Sequence, residues 1–275
     1  MTRPRKHRWR RAALNFLVVV GLLVAASFLP PDTSLRDRQK TGVLKACVPP
    51  SYPPLVTGDP ARPGFDIELL EAVADEIGLR LSVNTLVSIG SDFNPRNWML
   101  TRAQCDVIAG GVADTVQTRG FLQTIPTPAE TGWVAISGNG EMPAPGATIA
   151  VLPGTAGLDR VKLSGWLRAN GWRARGTSTP AQFRQALEAP GIAAGIAERF
   201  VIDSLHLDEE NFRSFWLPEQ DFPRYRMAIG LWKGDQTLKR AVSNAIDTLS
   251  KSGAIATLQQ RYDLLDAPKE QTFLQ

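Results

Sequence analysis

The sequence predicts an α/β fold made of two similar halves. Three observations carry the prediction. From Thr41 onward, short apolar runs of strand character alternate with segments of helical period. The alternation breaks at Gly138-Asn139-Gly140 and the proline-containing stretch Met142–Pro145, then restarts. At 275 residues the chain can bury a sizeable core, in one large domain or two small ones.

Val43–Val48 is a short apolar strand that ends at Pro49-Pro50. Asp66–Leu79 is the clearest helix, because Ile67, Leu70, Val73 and Ile77 recur at three- and four-residue spacing and Asp66 suits an N-cap. Leu81–Val87 reads as a strand with Leu81, Val83, Thr85 and Val87 on one face. Pro95–Arg102 has helical character, Asp106–Gly111 is a buried strand closed by two glycines, and Trp133–Ser137 is a further strand. Past the break, Ala147–Leu152 and Ile192–Ala197 read as strands, with helices over Ala156–Asn170 and Ala181–Glu188 between them. Met227–Trp232 is the last strand, followed by helices over Gln236–Leu249 and Ala254–Tyr262. Residues 266–275 read as a disordered tail.

The net charge of +4 is not evidence for a nucleic-acid partner. Arg3, Arg5, Lys6, Arg8, Arg10 and Arg11 supply six of the 31 basic residues, which leaves 25 against 27 acidic ones in the rest of the chain. Those six precede an apolar run from Ala12 to Leu29, the order of a secretory signal. Val24-Ala25-Ala26 offers small residues for cleavage, while the length of the run also suits an uncleaved anchor over residues 12–29. Either reading of residues 1–30 puts residues 31–275 outside the cytoplasm, in the periplasm. His7 and His206 cannot make a metal site, and no Cys/His cluster exists, so neither a metal nor a cofactor is expected.

The order of landmarks resembles the family-3 periplasmic solute-binding proteins, the amino-acid-binding components of ABC importers. Gly42-Val43-Leu44-Lys45 followed by Ser51-Tyr52-Pro53-Pro54 is similar to that family's first strand and turn, and Gly64-Phe65-Asp66-Ile67-Glu68-Leu69 to its first helix. Ser91-Asp92-Phe93 and Asp106-Val107-Ile108, then Gly154-Thr155, the strand ending at Glu198, Lys233-Gly234-Asp235 and Ser252-Gly253 follow in order. The resemblance implies a two-lobed periplasmic-binding-protein-like fold with two crossover strands and a ligand cleft between the lobes. Lobe 1 would comprise 41–134 plus 233–265 and lobe 2 140–226, with ligand at the carboxyl ends of the strands.

The same resemblance implies site residues. Tyr52 and Phe93 would hold the ligand side chain between two aromatic rings, although as residues they equally suit a turn and a core position. Backbone N–H groups at Gly110 and Gly111, the hydroxyl of Thr115 and the fork of Arg119 would take a carboxylate. Three departures bear on that end of the site: Ala113 stands where the family has Thr or Ser, Thr115 and Arg119 are one residue further apart, and Asp114 adds a negative charge. Thr155 would offer a hydroxyl and an N–H to an anion at a helix start, or simply cap that helix. Glu198 takes the place of the family's ammonium-binding Asp.

These residues imply a monomeric exported binder that captures a small amino-acid-like ligand by hinge closure and presents it to an inner-membrane ABC permease. A sensor, or an accessory protein of the kind associated with quinoprotein dehydrogenases, is the alternative. A cyclohexadienyl-dehydratase-like enzyme would also carry Glu at 198, as general acid, but Ala156-Gly157-Leu158 and Lys162 do not match the Asn and Lys it needs. No catalytic residue is therefore assigned.

Two cysteines in an exported chain invite a disulfide. The family fold, however, sets the strands carrying Cys47 and Asp106 side by side with level starts, so that Cys105 faces Val43. Four strand residues amount to about 13 Å, against the roughly 7 Å between Cα atoms that a disulfide tolerates. The expectation is two unbonded, buried thiols.

Overall fold

A computed structural model describes residues 6–27, 31–89, 95–153, 158–208, 210–264 and 268. The chain divides into two units, Met1–Thr33 and Ser34–Gln275. Among its described residues the first holds one helix, α1 (Lys6–Ser27), with Leu14, Phe16, Leu17 and Val18 exposed. Among the described residues no helix is long and apolar enough to cross a membrane.

The second unit holds two five-stranded sheets. In chain order it contains α2 (Ser34–Thr41), β1 (Val43–Val48), α3 (Phe65–Glu76), β2 (Arg80–Thr85), β3 (Val107–Ile108), α4 (Val116–Phe121), β4 (Leu122–Thr131) and β5 (Trp133–Ser137). There follow β6 (Thr148–Val151), α5 (Arg160–Ala169), β7 (Arg173–Gly176), α6 (Pro180–Leu187), β8 (Ile192–Glu198), α7 (Arg199–Ser204), β9 (Arg213–Trp216), β10 (Tyr225–Trp232), α8 (Gln236–Lys251) and α9 (Ala254–Arg261). The first sheet runs β2-β1-β3-β10-β4 and the second β7-β6-β8-β5-β9. Each sheet is mixed: β1 is parallel to β2 and β3, while β10 is antiparallel to β3 and β4. The chain changes sheet between β4 and β5, at Gly132, and returns between β9 and β10.

Alternation along β1 assigns its two faces. Leu44, Ala46 and Val48 join Phe65, Leu69, Leu70 and Val73 of α3 in one core. Cys47, on the opposite face, packs with Ile108, Trp98, Val112, Leu122 and Trp232. The amphipathic face of α8 closes the first core through Leu238, Val242 and Ala245. In the second lobe β5 separates two clusters, with Trp133 and Ala135 on one face and Val134 and Ile136 on the other.

Two cysteines expected to be apart are bonded: Cys47 and Cys105 form a disulfide with Cα atoms 5.4 Å apart. The register of β1 against β3 is close to the expected one, Cys47 standing opposite Ile108. The error lay in continuing the strand through Cys105. Only Val107 and Ile108 pair as β3, and the turn before it, in which the Cys105 N–H binds the Thr101 carbonyl, folds across the face of β1 that carries Cys47. The carboxylate of Asp106 accepts from the Lys45 N–H at 2.8 Å and the Trp232 indole donates to the Cys105 carbonyl at 2.7 Å, which pins that turn in place.

Asp66 also differs from expectation. The N-cap position of α3 is Gly64, and Asp66 lies in the first turn, buried, with Oδ2 accepting from the Gly110 N–H at 2.8 Å.

Candidate functional site

Of the seven residues singled out from the sequence, Phe93 and Thr155 lie outside the described residues. The other five fall into two groups: Tyr52 with Glu198, and Gly111 with Thr115 and Arg119.

Tyr52 belongs to the loop after β1, where its N–H and carbonyl pair with Val56. Glu198 ends β8, in the other sheet, and caps α7 by accepting from the Val201 N–H at 3.2 Å. Thr131, at the end of β4 in the first sheet, donates to Glu198 Oε1, so the two sheets meet at this carboxylate. Glu198 is fully buried, and burial pushes its carboxyl up to about 7, the hydrogen bonds from Thr131 and from the Phe200 and Val201 N–H groups offsetting part of that rise. Phe200 continues the contact. It stands on a helix of the second lobe, yet packs in the first lobe's core, its ring edge-on to Tyr52 with centroids 5.9 Å apart. Tyr52 is thus a core residue that meets the second lobe through Phe200.

Arg199 anchors the same seam from beside the first crossover. Its backbone N–H binds the Gly132 carbonyl and its guanidinium donates to the Glu130 carbonyl at 3.1 Å. Arg199 and Arg224 lie over the ring of Trp216 at 5.8 and 4.7 Å from its centroid. Gly132 is required there, because a Cβ would stand 2.9 Å from Trp216 Cζ3.

In the second group Thr115 caps α4, accepting from the Thr118 N–H, and is buried. Arg119 is half-exposed and already paired: Nη1 stands 2.9 Å from Oδ1 of Asp114, which also accepts from Thr124. The cation expected to hold a ligand carboxylate therefore has a carboxylate of its own chain. Gly111 is buried with φ +129°, and Gly110 has φ +70°. The Gly110 N–H, expected to face an anion from a ligand, is used by Asp66, whose carboxyl burial raises to about 7.

Thr131, Arg199, Phe200 and Asp66 were not singled out as site residues. Arg199 and Phe200 directly follow Glu198 in sequence, which was the available signal; nothing local pointed to Thr131. Among the described residues no group of His, Cys, Asp or Glu could hold a metal ion.

The family described as bacterial extracellular solute-binding proteins, family 3, matches residues 44–264. No curated protein matches the chain. Among solved structures, a mutant of ArgBP from T. maritima is 18% identical, with TM-score 0.61, over 84% of this chain and 99% of that one. An ABC uptake transporter substrate-binding protein from Streptococcus pneumoniae with bound histidine is 17% identical, with TM-score 0.62, over 84% and 96%. The ancestral amino-acid-binding protein AncCDT-1, a precursor of cyclohexadienyl dehydratase, is 17% identical, with TM-score 0.61, over 83% and 99%. At these identities the structures share the fold.

Proposed function

The chain belongs to the bacterial extracellular solute-binding proteins, family 3, and from that premise we propose that it is a periplasmic, monomeric protein that captures an amino-acid-like ligand by hinge closure and delivers it to an ABC permease. The observation that carries the reading is the meeting of the two lobes at the carboxyl end of β8, where Glu198 accepts from Thr131 of the first sheet and Phe200 packs edge-on against Tyr52. A cleft closed by side chains from both lobes converts ligand contacts into lobe closure, the form a membrane partner would recognise. The named ligands of structural neighbours, histidine among them, suggest where a screen should begin.

In this reading Tyr52 and Phe93 flank the ligand side chain, Glu198 faces its ammonium, and Thr115, Arg119, Gly111 and Thr155 its carboxylate. Binding then requires two exchanges: ammonium for the Thr131 partner of Glu198, and ligand carboxylate for Asp114 on Arg119.

A millimolar amino-acid panel followed by thermal unfolding tests the proposal, since a ligand of the folded state at about 100 times its Kd adds ~2.7 kcal/mol to stability. With the ligand in hand, Arg119→Ala and Glu198→Ala should each weaken binding by about 2–5 kcal/mol. A panel without a single shift would refute capture of an amino acid and return the accessory or sensor reading; wild-type affinity in both variants would refute the site.

A further inference from the structure

Segments 53–62, 203–206 and 262–263 line an open cavity of about 230 Å³ whose wall comes from both lobes. Pro53, Pro54 and Tyr262 supply an apolar side in the first lobe; Asp203 and His206 face them from the second. The first lobe supplies Arg62 and Asp263, and the second Asp203 and His206. Arg62 is held over the Tyr262 ring at 5.1 Å and donates through Nη2 to the Arg261 carbonyl, which fixes its fork at the cavity wall. Its ion pair is loose: Asp263, 85% exposed, stands 3.9 Å away. A guanidinium has five N–H donors, so Arg62 retains capacity for an anion.

Across the cavity, burial raises the Asp203 carboxyl to about 6, although Arg199 Nε stands 3.4 Å from its Oδ2 and His206 is also near. The Asp203 side chain is 37% exposed, so a further cation can reach it. The Nδ1 atom of His206 contacts the Ser204 carbonyl at 2.8 Å, and His206 adopts φ +47°, a conformation uncommon for a side-chain-bearing residue. The left-handed turn sets the imidazole at the rim.

We propose that this cavity is a second binding site, separate from the ligand cleft, for a small zwitterion whose carboxylate meets Arg62 and whose ammonium meets Asp203, bridging the lobes. A cavity of about 230 Å³ admits a molecule the size of a short-chain amino acid.

γ-Aminobutyrate is the probe, with butyrate and butylamine as its single-charge counterparts, titrated by calorimetry and saturation-transfer NMR against the full chain. The zwitterion should bind at least about tenfold more tightly than either counterpart, and Arg62→Ala and Asp203→Asn should each weaken it about tenfold. Equal binding of the three probes, no binding by about 20 mM, or wild-type affinity in both variants overturns the site. Binding lost in Arg119→Ala and Glu198→Ala but kept in Arg62→Ala and Asp203→Asn would place the probe in the cleft, overturning the second site and upholding the first. A cavity that fails while the amino-acid panel still yields a cleft ligand leaves the proposed function untouched.

Discussion

Removing the Cys47–Cys105 bond gives the most quantitative test of the fold. The bond joins positions 58 residues apart. In the chain-entropy description, closing a loop of that length removes about 14 cal/mol/K from the unfolded ensemble, or ~4 kcal/mol at 25 °C. Both cysteines are fully buried in one apolar cluster with Trp98, Ile108 and Trp232, so the reduced folded protein retains its packing and the effect falls on the unfolded state. Cys47→Ala with Cys105→Ala should therefore lower the melting temperature by roughly 8–16 °C for a domain of this size. The wild type unfolded in reductant should show most of that loss without any mutation. Because the unlinked chain expands further, the urea m-value should rise as the midpoint falls. Intact-mass analysis of unfolded, non-reduced protein after thiol alkylation should show no addition. Two additions, or identical urea midpoints with and without reductant, would refute the reasoning.

Asp66 and Glu198, both raised to about 7 from ordinary values of 3.8 and 4.5, make stability fall as pH rises. The folded state holds the proton that the unfolded state has released, so stability is greatest at acid pH and declines through pH 7, by at most about 1.4 kcal/mol per pH unit for each group. Urea midpoints from pH 5 to 8 should show that decline, and Glu198→Gln should flatten it; parallel profiles for the two proteins would contradict the assignment. Gly110→Ala places a Cβ 2.5 Å from Val56 Cγ2 at φ +70° and should cost more than the ~1–2 kcal/mol of left-handed strain alone, read from chemical unfolding. Asp114→Asn removes the competitor on Arg119. It should tighten binding of the carboxylate ligand found in the panel by up to about 1 kcal/mol, and weaker binding in calorimetry would show that Asp114 helps the ligand instead.

Elements with a strong local signature were legible. The apolar runs of β1, β5, β6, β8 and β10 and the helical periods of α3, α6, α8 and α9 are set by burial on one or both faces. Strand β4 was not recognised, because Pro126 and Pro128 interrupt its donors; it is an edge strand, where proline is tolerated. Strand β7 is exposed at all four residues, and α4 and α7 have six residues each, too few to display a period. The expected helix over Pro95–Arg102 is a single 3-10 turn, Pro95–Trp98.

By itself, the sequence determined the α/β class, the doubling of the pattern, the ordered landmarks of the family and the candidate residues at the strand ends, because each is written in neighbours a few positions apart. Tertiary structure alone decided which charges and thiols meet. Cys105 reaches Cys47 because a turn leaves the strand direction, and Glu198 finds Thr131 because the chain changes sheet at Gly132. Arg119 sits beside Asp114 because the first turn of α4 folds back on the residue before its cap. Hydrogen bonds and ion pairs act over a few ångströms of space, and the distance along a chain between two groups says little about that separation once the sheets are assembled.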